Sequence, residues 1–171
     1  MAKRKGKKKE TIPLRPIDQK LLDFDIHYQG FKLSGVSVIV ASLGFLGLVW
    51  SIPFPTLNFL GTFNGYFNWA SILIAFVIYF YYRLSPVLSY IAIFLVGLYS
   101  YCIVQLEHWA IEGGPAFWLS CLILFLLGML LYILWAITSK KKGVLSRVPA
   151  YLLMGPLWLG SKLMKILKLP Y

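Results

Sequence analysis

The sequence predicts an all-α membrane protein with four transmembrane helices and a re-entrant or interfacial helical element near the C-terminus. Two observations carry this prediction. The residue types AVILMFWYC make up 59% of the 171 residues and charged residues only 13%, whereas a soluble domain has about 25% charged residues. Apolar segments also recur at the length of about 20 residues that a membrane-spanning helix needs. This composition excludes a soluble globular domain, a disordered chain and a disulfide-rich secreted module.

Four apolar segments are the predicted spans, at residues 33–51, 66–82, 86–106 and 116–138. None of them contains a charged residue, whereas a helix on the surface of a soluble protein has a polar face. The second segment reaches a spanning length only when the residues before Trp69 are included. We therefore expect residues 21–171 to form a single helical domain, preceded by a basic tail over residues 1–20 that is too charged to fold.

The distribution of positive charge predicts the orientation of these spans. The 17 Lys and Arg residues lie before the first span, at Arg83, and after the fourth span, and the loops at 52–67 and 105–115 hold none. Cytoplasmic loops carry the excess of Lys and Arg. Both termini are therefore predicted to be cytoplasmic, which requires an even number of crossings. The pattern is the same for a bacterial inner membrane and for the endoplasmic reticulum.

The basic ends of the chain are candidates for contact with anionic lipid, where each cation near the surface contributes about 1 kcal/mol. An alternative is that the N-terminal cations only direct insertion, and nucleic acid is not an expected partner. The candidate lipid-binding residues are Lys3, Arg4, Lys5, Lys7, Lys8, Lys9, Lys162, Lys165 and Lys168.

The C-terminal segment 149–169 is apolar but short, and Gly155-Pro156 lies in its middle. Proline removes a backbone hydrogen bond and clashes with the preceding turn. We expect this break to prevent a fifth span. The segment is therefore predicted to lie in the interface or to re-enter the membrane.

Few side chains in the sequence are suited to catalysis or metal binding. His27 has Asp23 four residues before it, and His108 has Glu112 four residues after it, so each pair is a candidate for a metal site. Our expectation is that neither pair binds a metal and that the chain has no catalytic residue, with His27 as the remaining candidate. Cys102 and Cys121 are expected to be small buried apolar residues, and a disulfide between them remains an alternative.

Four strings carry a resemblance to a known family. They are WSIPFP at Trp50–Pro55, FNWA at Phe67–Ala70, FYYRLS at Phe80–Ser85 and YLLMGPLWL at Tyr151–Leu159. In this order and spacing they resemble the small membrane proteins typified by the yeast 2-hydroxy fatty acid dioxygenase. The resemblance implies a helical membrane protein, and the active members shorten 2-hydroxy fatty acids with Fe(II) and oxygen.

The chain departs from that family where the iron ligands belong. Counting back from Gly155, the positions of the family's Gln, His and Glu hold Tyr132, Ala136 and Ser139. A non-haem iron site needs about three ligands, typically two His and a carboxylate, and this chain has two histidines on opposite predicted faces of the membrane.

These departures predict a non-catalytic accessory or scaffolding subunit of a membrane assembly, with no cofactor, whose partners are membrane lipid and other membrane subunits. One alternative is an iron-dependent dioxygenase acting on 2-hydroxy fatty acids through His27. Another is a membrane protein that binds anionic lipid.

Overall fold

The computed structural model describes residues 16–27, 31–56, 58–59, 61–62, 67–139 and 147–166. Within these ranges the chain is helical and has no strand, in agreement with the all-α prediction. Its six helices are α1 (Pro16–His27), α2 (Phe31–Ser51), α3 (Trp69–Leu84), α4 (Pro86–Ile111), α5 (Phe117–Thr138) and α6 (Val148–Ile166). The first residues of α1 thus fall inside the range predicted to be a disordered tail.

The four predicted spans correspond to α2, α3, α4 and α5, but only part of the membrane prediction is met. Two helices of the described chain, α4 and α5, are long and apolar enough to cross a membrane. Helix α3 and the part of α2 whose side chains are described (Gly35–Ser51) are shorter. At about 1.5 Å per residue, the 16 residues of α3 reach only about 24 Å, against a hydrocarbon core of about 30 Å.

Local sequence signals set the boundaries of α3 and α4. The Asn68 side chain accepts a hydrogen bond from the backbone N–H of Ser71 at 2.8 Å, and the Ser71 hydroxyl accepts one from the Asn68 N–H at 3.1 Å, a reciprocal cap that begins α3. Ser85 is extended because a following proline disfavours the helical region. Pro86 then begins α4, and this single-residue break makes α3 and α4 antiparallel neighbours.

The helices associate as two pairs, of which α2 with α5 has the most extensive contact and α3 with α4 the next. The α2–α5 contact is a seam of small residues. A Cβ on Gly44 would lie 2.7 Å from the Cα of Phe125, and a Cβ on Gly128 would lie 2.6 Å from the Cα of Ala41. Since real Cβ atoms do not approach so closely, both positions require glycine for the two backbones to touch.

Helix α6 lies across one end of both pairs. Gly155 packs against Val38 near the start of α2, and Gly160 packs against Ile91 near the start of α4. From the last turn of α3, the Tyr81 hydroxyl donates a hydrogen bond to the carbonyl of Leu153. Helix α1 packs on α6 in turn. We call these two helices the α1–α6 layer.

The expected break at Gly155-Pro156 is wrong, because α6 is one continuous helix with Pro156 inside it. Proline leaves the carbonyl four residues earlier without its usual donor, and such a loss is tolerated where neighbouring helices supply contacts and donors. The carbonyl that loses its donor is that of Leu152, and the Tyr81 hydroxyl binds the neighbouring carbonyl of Leu153. Leu157 and Trp158 are buried directly after the proline, so packing on both sides of Pro156 holds the helix in place.

The seam predicts that a leucine substitution has very different effects on stability at two glycines. We expect Gly128→Leu to lower the free energy of unfolding by about 3 kcal/mol or more, because the added side chain must separate the α2 and α5 backbones. Gly97→Leu is the matched control: no atom lies within 4 Å of a Cβ at Gly97, so the protein should be as stable as the wild type or slightly more stable. Reversible unfolding in mixed detergent micelles measures both values. Equal loss in the two variants would contradict the seam.

Candidate functional site

A half-open cavity of about 430 Å³ lies between the two helix pairs, and we call it the central cavity. Its lining comes from α2, α3, α4 and the first half of α6 and consists almost entirely of apolar side chains. The polar exceptions are Ser42, Tyr81 and Tyr99. The volume lies in the range of about 300–1,000 Å³ that small-molecule sites occupy. The central cavity can therefore hold an apolar ligand.

The hydroxyls around the central cavity differ in their hydrogen bonding. The Tyr81 hydroxyl is held by the carbonyl of Leu153. The Ser42 side chain is buried, and its oxygen has no hydrogen-bond partner among the described residues. Buried polar atoms are normally paired, so Ser42 offers a hydrogen-bond donor to whatever occupies the cavity.

A second cavity of about 590 Å³ lies between α1, the end of α3 and the start of α6, and we call it the basic-end cavity. It is lined by Lys20, Asp23 and Arg147 together with apolar side chains that include Phe80 and Leu153. Leu153 lines the central cavity as well, so the two cavities share a wall. This cavity combines positive charge with an apolar surface, whereas the central cavity is apolar almost throughout.

Positive charge in the described chain is concentrated at the end of the bundle that carries the α1–α6 layer. Arg83 is in the last turn of α3, which that layer contacts, and the other described basic side chains belong to or directly precede α1 and α6. The described Lys and Arg side chains are Lys20, Arg83, Arg147, Lys162 and Lys165. The charge asymmetry of the sequence is thus an asymmetry of the folded bundle.

Asp25 joins the two helices of the layer. Its carboxylate lies 2.6 Å from the Nζ of Lys162 and accepts a hydrogen bond of 3.1 Å from the indole N–H of Trp158. The Trp158 ring also packs against Phe24, with ring centroids 5.5 Å apart. Partial burial acts to raise the pKa of Asp25, but the hydrogen bonds from Lys162 and Trp158 and the charges of Lys162 and Lys165 outweigh it, so the pKa lies below its ordinary value.

An aromatic cluster connects α6 to α2 and α5. The hydroxyls of Ser37 and Tyr151 share a buried hydrogen bond of 2.6 Å, and the Tyr151 ring stacks on Tyr132 with centroids 4.2 Å apart. Burial raises the pKa of Tyr151 well above its ordinary range, so this phenol remains protonated. Sequence reasoning missed this cluster, because its members are far apart in the chain.

The candidate metal residues do not form a site in the described chain. Asp23 is exposed and lines the basic-end cavity, whereas His108 and Glu112 are exposed at the opposite end of α4. The side chain of His27 lies outside the described residues. Among the residues that the structure describes, no group of three or more His, Cys, Asp or Glu side chains is arranged to hold a metal ion.

The remaining candidate residues fall partly within the described chain. Lys162 is paired with Asp25, Lys165 is exposed on the same helix, and the other candidate lipid-binding residues lie outside the described residues. Both cysteines are free thiols. Cys121 is buried against Gly47 in the seam, which agrees with the expectation of a small buried apolar residue, and Cys102 is half-buried.

Three comparisons with known proteins found no match: no family model, no curated protein and no solved structure is similar to this chain.

The contacts of Asp25 predict how α1 is held. We expect Asp25→Asn to increase hydrogen–deuterium exchange in α1 several-fold at neutral pH, a modest effect because the ion pair is partly exposed. Asp23→Asn, two residues away on the exposed side, is the matched control and should not change the exchange rate.

The lowered pKa of Asp25 predicts a pH dependence as well. A lowered carboxylate pKa stabilises the folded state above the ordinary value of 3.8, and this contribution is lost as pH falls through the lowered value. Protection of wild-type α1 should therefore decrease in that acidic range, and the Asp25→Asn variant should lack this decrease. A pH dependence that survives in the variant would contradict this assignment.

Proposed function

We propose that this chain is an integral membrane protein that crosses the bilayer four times with both ends cytoplasmic. In this proposal it is a non-catalytic accessory component of its membrane that binds a lipid acyl chain in the central cavity. The observation that carries the proposal is a cavity of about 430 Å³ with an almost wholly apolar lining, placed between helices that are themselves apolar on the outside.

The outer surface supports four crossings. Large apolar side chains are exposed on α2 and α3 as well as on α4 and α5: Ile39 on α2, Phe76 on α3, Phe94 on α4 and Leu126 on α5 are all exposed. Soluble monomers rarely expose contiguous apolar patches of this kind. A bilayer accommodates a short helix by local thinning at a modest cost, which allows α3 to cross.

The physical environment favours an acyl chain in the central cavity. Inside a bilayer the hydrophobic effect does not drive helices together, because lipid tails are as apolar as leucine. Side chains that line a space without partner atoms lose dispersion contacts. A lipid chain restores those contacts, and the surrounding bilayer supplies such chains at high concentration.

The aromatic cluster supports a role without iron chemistry. Under the resemblance drawn from the sequence, the ligand positions hold Tyr132, Ala136 and Ser139. Tyr132 and Ala136 are buried, and Ser139 is half-buried. Tyr132 is stacked on Tyr151 at 4.2 Å, which places a ring where a ligand and its metal would need room. A dioxygenase would therefore need ligands from elsewhere, and the absence of a metal stays a prediction that metal analysis of the purified protein tests.

Cysteine accessibility tests the number of crossings. In a protein with Cys102→Ser and Cys121→Ala, we introduce one cysteine at Phe59, Glu112 or Lys165. Four crossings place Phe59→Cys and Glu112→Cys outside, labelled by an impermeant maleimide on intact cells, and Lys165→Cys inside. If only α4 and α5 cross, Phe59→Cys reacts only after the cells are permeabilised, and the four-span proposal is wrong.

Photo-crosslinking tests binding in the central cavity. Purified protein in nanodiscs is irradiated with a phosphatidylcholine that carries a diazirine in one acyl chain, and the adducts are mapped by mass spectrometry. We expect adducts on cavity residues of α3, α4 and α6, and Val96→Trp should reduce them at least several-fold, because Val96 lines the cavity.

The matched control is Val104→Trp, the same substitution on the exposed side of α4, which should leave the cavity adducts unchanged. Adducts spread evenly over the lipid-facing residues and insensitive to Val96→Trp would refute acyl-chain binding. Co-purification after mild detergent extraction reports separately whether the chain belongs to a larger assembly.

A further inference from the structure

The basic-end cavity has unbalanced positive charge. Lys20 and Arg147 line it from α1 and from the start of α6, and Asp23 is the acidic residue among its lining side chains. Lys20 and Arg147 are both exposed, and neither has an ion-pair partner among the described residues. By contrast, Lys162 on the same face of the bundle is neutralised by Asp25 at 2.6 Å. Two cations against one carboxylate leave a net positive cavity.

The apolar part of this cavity adjoins the wall of the central cavity. Phe24, Phe80 and Met154 line it beside the cations, and Leu153 lines both cavities. A ligand that occupies both cavities needs a charged end between Lys20 and Arg147 and an apolar chain that passes Leu153. Free phosphate lacks the apolar part, whereas a phospholipid has both parts in the required order.

We propose that the two cavities form one site for a phospholipid with an anionic headgroup. Lys20 and Arg147 bind its phosphate, and one acyl chain passes Leu153 into the central cavity. Arginine and lysine bind phosphate with different geometry, arginine through a planar fork and lysine as a point charge. This inference rests on the proposed acyl-chain binding and adds to it the class of lipid and the residues that select it.

Competition against the diazirine phosphatidylcholine tests the headgroup. Wild-type protein in nanodiscs receives equal amounts of unlabelled phosphatidylglycerol or phosphatidylcholine with identical acyl chains. We expect phosphatidylglycerol to compete about fivefold better, the effect of one net positive charge near a membrane surface. In the Lys20→Gln/Arg147→Gln variant Asp23 is the remaining charge of the cavity lining, so the preference for phosphatidylglycerol should disappear or reverse, while adducts on the central-cavity residues remain.

Two further variants make the result specific. Arg83→Gln removes a positive charge from the same end of the bundle at a residue that does not line the basic-end cavity and should retain the preference. Lys20→Arg/Arg147→Lys keeps both charges and should retain most of it. Equal competition in the wild type, or a preference that survives in Lys20→Gln/Arg147→Gln, overturns this inference and leaves acyl-chain binding standing. If the wild type gives no adducts in the central cavity, acyl-chain binding fails and the lipid site fails with it.

Discussion

The direct contact between the backbones of α2 and α5 is the constraint on which the rest of the arrangement depends. Within lipid, close packing is one of the few interactions that hold helices together, and small residues permit it. The seam uses glycines on both helices, Gly44 on α2 and Gly128 on α5, each packed against the other helix. Because α3 and α4 pair mainly with each other and contact the seam pair less, space remains between the pairs, and this space is the central cavity.

Helix α6 completes the site by closing one end of both pairs. Its proline would weaken a helix that stood alone, but here the helix is embedded among contacts from α1, α2, α3 and α4. The first half of α6 lines both cavities, whereas its second half carries the partners of Asp25. The same element therefore positions the apolar lining, the cation at its start and the attachment of α1.

The sequence was sufficient to predict the places of α2, α3, α4 and α5, because a long uninterrupted apolar segment forms a helix in almost any context. It also predicted that basic residues gather on one side, and the described ones lie at one end of the bundle. It did not predict that α2 pairs with α5, since the spacing of Gly44 and Gly47 matches no simple motif and the partner glycine lies more than 80 residues away in the chain. The continuity of α6 was missed because the helix is held on both sides of Pro156 by packing against residues that are distant in the sequence. The cavities also arise from contacts between residues that are distant in the sequence. The sequence therefore did not predict that Lys20 and Arg147 line the same cavity.

The position of Cys121 has a consequence for the chemistry of its sulfur. The Sγ atom occupies the notch left by Gly47, only 2.5 Å from where a Cβ would stand, so an alkyl or oxygen adduct on the thiol has no room while the helices remain joined. Oxidants and electrophiles can therefore react with Cys121 only when α2 and α5 separate. The rate at which the Cys121 thiol is modified consequently reports how often the two helices separate, and no engineered label is needed.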